Sequence, residues 1–75
     1  MAREVAISGE TIRLGQLLKL AGLAASGSEA KLVLESEQVA VNGQPDTRRG
    51  RKLHPGDVVR VGEQELRVGR SAAVT

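Results

Sequence analysis

Four of the chain's 11 basic residues fall within five positions: Arg48, Arg49, Arg51 and Lys52, in the string TRRGRK. No acidic residue interrupts them. Three are arginines, whose planar guanidinium offers a fork of N–H donors suited to phosphate oxygens. Gly50, in their midst, lets the backbone come close to a partner. The chemistry on offer is electrostatic, a grip on the phosphates of a polyanion. The same run would also serve as a solvated loop between two strands, the ordinary fate of a charge cluster. Two lysines bear on the choice. Lys31 follows a helix start at Ser26-Gly27-Ser28, an anion-favouring end with free N–H groups at Gly27 and Ser28. Lys19 sits in the last turn of an earlier helix, where a cation also offsets the helix dipole.

Nothing comparable points to catalysis. His54 is the single histidine and there is no cysteine. Neither a nucleophile–histidine relay nor a zinc site of His and Cys ligands can be assembled from them. The nine carboxylates are scattered among basic residues, and Glu35 and Glu37, near the expected end of a helix, are expected to face solvent. Gly27, Gly43 and Gly56 fall at caps or turns and form no GxxxxGK[ST] loop. No enzymatic activity, metal or cofactor is expected. The absence of Phe, Trp and Tyr excludes more. Single-stranded nucleic acid is usually held by stacking bases on aromatic rings. An RNA partner would here be read by shape and phosphate.

Seventy-five residues bound the chain to one domain near the lower size limit for independent folding. Without disulfides, its stability must come from 20 Ile, Leu and Val residues and nine alanines. Net charge is only +2, although the pI is about 9.7, so the placement of the charges matters more than their sum. No stretch approaches the roughly 20 apolar residues of a membrane span. The N-terminal MAREVAISGE has no apolar run of the signal-peptide kind. A cytoplasmic protein is expected.

The elements that must position the basic residues are set by periodicity. REVAIS alternates and predicts a strand, and a turn then brings Thr11 to cap the helix after it. Leu14, Leu17, Leu18 and Ala21 recur at helical spacing, with Gly22 as the C-terminal stop. Gly15 weakens that helix and makes it dependent on packing. Ser26 with Glu29 matches a capping box and opens a second helix to about Ser36, with Ala30, Val33 and Leu34 inward. The short connector makes the two helices packed neighbours. From Val39 the period becomes two, and Asn42-Gly43 signals a type I′ hairpin. His54-Pro55-Gly56-Asp57 is a turn, and VVRV and QELRVG form a last strand pair. Segregated helices and strands predict an α+β fold, with the two packed helices on a small, antiparallel sheet. Residues 1–70 would be the domain and 71–75 a flexible tail. Leu20 and Leu32 lie off the apolar stripes of their helices.

The string LLKLAGLAASGSEAKLVLESEQVAVNGQPDTRRGRKLHPGDVVRV resembles the alpha-L RNA-binding motif. That domain occurs in bacterial small-subunit ribosomal protein four, pseudouridine synthases, tyrosyl-tRNA synthetases and heat-shock RNA-binding proteins. The resemblance runs from Ile12 to about Val61 and is nearest the small standalone bacterial members. It implies two helices on a bent sheet, with a basic face turned to structured RNA, ribosomal or transfer. By position, the RNA-binding residues it implies are Lys19, Gly27, Lys31, Arg48, Arg49, Arg51 and Lys52, with Asn42-Gly43 geometric and Val39, Val41 and Leu53 in the core. Three positions depart from the pattern. Gly27 replaces an arginine of many larger members, Glu37 stands where a helix-ending glycine is expected, and Pro45 makes its strand an edge. A protein-docking module, using Leu20 and Leu32, is the alternative. Neither a membrane nor a small-molecule substrate is expected as a partner.

Overall fold

The computed structural model describes residues 2–36 and 38–70. Val5 and Ile7 alternate with exposed neighbours, and this pattern gives strand β1 (Ala2–Ile7) with both side chains buried. The chain then departs from its sequence pattern. Instead of a helix capped by Thr11, Ile12–Arg13 forms a two-residue strand, β2, and the helix α1 (Leu14–Leu20) comes after it. β2 pairs antiparallel with Lys52–Leu53, here β5, which holds residues 12 and 13 extended. The N-cap is therefore Arg13, whose N–H donates to Gln16 Oε1 at 3.2 Å.

α1 ends as the glycine predicts. Gly22 has φ of 79°, its N–H donates to the Lys19 carbonyl, and the Leu23 N–H donates to the Leu18 carbonyl. These two bonds make a Schellman motif. α2 (Gly27–Ser36) packs against α1. Ser26 Oγ accepts the Glu29 N–H at 3.2 Å, but Glu29 Oε1 reaches back to the Ala25 N–H rather than to that of Ser26. The capping box is thus displaced by one residue on its return arm. Ala30 and Leu34 are buried and Val33 is half-buried. The expectations for Glu37 and for residues 71–75 lie outside the described residues.

β3 (Val39–Val41) turns at Asn42 and Gly43, with φ of 51° and 86°, into β4 (Gln44–Pro45). Both central residues have the positive φ of a type I′ turn. β6 (Val58–Val61) and β7 (Gln64–Arg70) complete a five-stranded sheet of order β1-β7-β6-β3-β4. Pro45, lacking an N–H, lies on the edge strand as its chemistry requires. Every pairing is antiparallel except β1 with β7, which run parallel with Val5 opposite Val68.

The 54–57 turn is tied to the 42–43 turn. Asp57 Oδ2 accepts the His54 N–H at 2.8 Å, and Oδ1 accepts Asn42 Nδ2 at 3.1 Å. Asn42 Oδ1 accepts the Val58 N–H at 2.9 Å. Burial pushes the Asp57 carboxyl up, but donors from His54 and Asn42 outweigh it and hold the carboxyl below its ordinary value.

The helices cover the sheet through one continuous apolar cluster. Leu14, Leu17 and Leu18 meet Val41, Val59 and Leu66 there, with Leu53 of β5 joining them. Val39, Val41 and Leu53 occupy the core as their motif positions imply. Leu20 and Leu32 are 54% and 60% exposed. No helix among the described residues is long and apolar enough to cross a membrane.

Candidate functional site

The basic run occupies the connection from β4 to β5, and Asp46 organises it. The Asp46 side chain is almost wholly buried. Its Oδ1 accepts the backbone N–H of Arg48 at 2.9 Å, a turn closed by a side chain two residues back. The same oxygen accepts Arg48 Nε at 3.1 Å, and Oδ2 accepts Arg48 Nη2 and Arg51 Nη1, each at 2.9 Å. The Arg48 guanidinium and N–H, with help from Arg51, outweigh the cost of burial and hold this carboxyl far below the usual range. Arg48 stays 71% exposed and Arg51 35%.

The backbone of this loop completes α1. The Leu14 N–H donates to the Arg51 carbonyl at 2.8 Å and the Gly15 N–H to the Arg49 carbonyl at 2.9 Å. Two donors that every helix start leaves open are thereby satisfied. The contact needs glycine at 15. An ideal Cβ there would overlap Arg49 Cγ and lie 3.2 Å from its Cδ. Gly50, by contrast, has room for a side chain: the nearest atom to its ideal Cβ is an Arg13 guanidinium nitrogen at 3.8 Å.

Arg49 then crosses to the second helix. Its stem lies on Gly15 and its Nη1 donates to the Gly27 carbonyl at 3.3 Å. Arg13 Nη1 donates to the Gly50 carbonyl at 2.8 Å. Between them opens a cleft of about 270 Å³, lined by Arg13, Gly15, Gln16, Lys19, Gly27, Arg49 and Gly50. Three cations face it and no carboxylate does. The N–H of Gly27, which lines it, has no protein acceptor among the described residues, nor has that of Ser28, the next residue of α2. Lys31 lines an adjoining hollow with Leu34, Glu35, Thr47 and Arg49. Lys52 lies opposite Arg13 in the β2–β5 pair, so both side chains stand on that ribbon's exposed face.

The structure thus gathers Lys19, Gly27 and Lys31 around Arg49, with Lys52 beside Arg13. It turns Arg48 and Arg51 to Asp46 instead. The sequence alone does not mark Arg13, Gly15 and Asp46 as parts of the site. Asp46 follows a proline, in a dipeptide with turn chemistry, and Gly15 is an isolated glycine in a helical pattern, so two of the three leave a trace in the sequence. Arg13 leaves none, because only its pairing with Lys52 brings it to the loop.

The sequence matches the S4 domain family over residues 5–69. The probable ribosome maturation protein RlbA of Bacillus subtilis is 52% identical over 61 residues, which cover 81% of this chain and 86% of that protein. The tyrosine–tRNA ligase of Burkholderia lata is 39% identical over 63 residues, 83% of this chain but only 15% of that enzyme. Two helices on a mostly antiparallel mixed sheet fit the match, and the chain belongs to the S4 domain family.

Proposed function

We propose that this chain is a non-catalytic, cytoplasmic RNA-binding protein of the alpha-L type that recognises structured RNA, ribosomal RNA foremost, and acts in ribosome maturation. The observation that carries this reading is the carboxylate-free cleft between the helices, faced by Arg13, Lys19 and Arg49 and lined by Gly27 with its open N–H. Lys31 and Lys52 extend its charge to either side, and Arg48 and Arg51 flank it. The likeness to a protein named for ribosome maturation, over most of both chains, supports ribosomal RNA over transfer RNA. With no aromatic ring for stacking, recognition rests on phosphate neutralisation and on the shape of a duplex or junction.

About 4–6 phosphate contacts, each contributing a slope of roughly 0.7–0.9, lower affinity by about 10²–10³ between about 50 and 200 mM salt. Fluorescence anisotropy at those two salts tests this, with a structured ribosomal RNA fragment, an unstructured strand of equal length and duplex DNA. A salt-sensitive preference for the structured RNA is the expected result. Equal weak binding to all three refutes the reading. The exposed Leu20 and Leu32 favour a second reading, docking on a ribosomal or RNA-processing protein. It requires binding to that protein that survives high salt and is lost when both leucines are replaced by serine.

A further inference from the structure

The basic loop contains four cations, yet its side chains do not act alike. Arg48 and Arg51 converge on one buried carboxylate, while Arg49, between them, points the other way into the inter-helix cleft. We propose that Asp46 is a positioning residue of the RNA interface. By taking Arg48 and Arg51 it fixes the loop so that Arg49, with Arg13 and Lys19, forms the phosphate-contacting cluster. This inference rests on the RNA-binding reading above and adds which cations touch phosphate and what aims them.

Three observations converge on it. Asp46 fixes the loop backbone as well as its side chains, because Oδ1 accepts the Arg48 N–H. The loop so fixed presents the Arg49 and Arg51 carbonyls to the Gly15 and Leu14 N–H groups, which locks it onto α1. The Arg49 stem then has one course, over the bare face of Gly15 toward Gly27. Charge divides in the same way. Asp46, Arg48 and Arg51 together carry a net charge of one positive unit, whereas no carboxylate lines the cleft that holds Arg13, Lys19 and Arg49. A negative charge placed near a phosphate site would weaken it, and burial against two arginines removes that penalty.

The test uses Asp46→Asn, which keeps an oxygen to accept the Arg48 N–H while removing the charge, together with Arg48→Gln and Arg49→Gln. Salt slopes and the preference for structured over unstructured RNA are measured well below the melting temperature of each variant. Arg49→Gln is expected to lower the slope by roughly 0.7–0.9, the value of one phosphate contact, and Arg48→Gln, whose guanidinium is held by Asp46, to lower it by clearly less. Asp46→Asn is expected to reduce the preference for structured RNA about tenfold, with binding to the unstructured strand held or raised because two arginines are released. The inference is overturned if Arg48→Gln lowers the slope as far as Arg49→Gln does. It is equally overturned if Asp46→Asn lowers stability and weakens all RNA binding in parallel, leaving the preference at the wild-type value, since that is the signature of a structural role alone. Wild-type protein that shows no salt-sensitive RNA binding refutes the parent reading, and the inference falls with it.

Discussion

Replacing Gly15 by alanine sets two well-characterised effects against each other. Glycine inside a helix costs about 0.5–1 kcal/mol relative to alanine, so propensity alone makes Gly15→Ala stabilising. The structure opposes this. The new Cβ would overlap Arg49 Cγ, close to the root of that side chain, and the Arg49 backbone is held by its bond to the Gly15 N–H. Forcing a methyl into such a contact costs about 1–3 kcal/mol. The balance is a net loss of about 1 kcal/mol, or a fall of roughly 4–8 °C in melting temperature for a domain of this size. The sign is the sharper test. In an Arg49→Ala background the obstructing stem is gone, and Gly15→Ala should then stabilise by about 0.5 kcal/mol. The cycle therefore predicts a coupling of about 1.5 kcal/mol between residues 15 and 49. The chain has no Trp or Tyr, so urea unfolding is monitored by far-UV circular dichroism. If Gly15→Ala stabilises the wild type and the Arg49→Ala protein alike, the loop does not lie on α1 as described and the reasoning fails.

Acid should reveal Asp46 in the stability curve. Its carboxyl is held below the ordinary value of about 3.9 by Arg48 first and then Arg51, so its contribution is fully present above pH ~4 and fades as pH falls toward the folded-state value. Asp57 is also held below its ordinary value, and the difference in melting temperature between wild type and Asp46→Asn isolates Asp46: it should shrink between pH ~4 and ~2, and a constant difference would count against the ion cluster. Leu53→Ala removes a fully buried side chain from the strand that carries Lys52 and should cost about 2–5 kcal/mol, much of the roughly 4–11 kcal/mol expected for 75 residues; a loss under about 1 kcal/mol in urea unfolding would show that β5 is not part of the core. Hydrogen exchange reads the loop directly. Asp46→Ala should speed exchange at the Leu14 and Gly15 amides about tenfold while leaving Val59 at the sheet centre unchanged, and equal acceleration at all three would mean global rather than loop opening.

Local signals in this sequence were legible because each rests on one residue's own chemistry. Asn42-Gly43 needs positive φ twice, Gly22 needs it once, and Ser26 needs only the N–H of Glu29. The core stripe was equally clear, since burial tracks period: Leu14, Leu17 and Leu18 are each fully buried. What failed to show depended on partners distant in the chain. Ile12–Arg13 reads as a helix start until Leu53–Lys52 pairs with it, and the parallel contact of β1 with β7 joins the two ends of the described chain. The site divides in the same way. The density of charge at 48–52 is a sequence property, whereas the split between Arg49 and its neighbours depends on a carboxylate outside the run and on a glycine 34 positions upstream of Arg49.

That split also resolves an electrostatic difficulty the sequence poses. Four like charges in five residues repel one another, and a loop of that kind would ordinarily stay open and ordered only by its partner. Here the counter-charges come from the fold. The Asp46 carboxylate takes two guanidinium groups, and the Gly27 and Gly50 carbonyls accept from Arg49 and Arg13. The loop's own carbonyls at Arg49 and Arg51 turn inward to α1, so acceptor oxygens are occupied inside and cationic ends remain outside. A polyanion arriving at this face meets cations already held in place, and the entropy of ordering the loop has been met by folding rather than by binding. Under the proposed RNA-binding function, such a site would discriminate by the spacing of phosphates. Rigid, structured RNA presents that spacing at no further cost, while a flexible strand must give up its own freedom to match it.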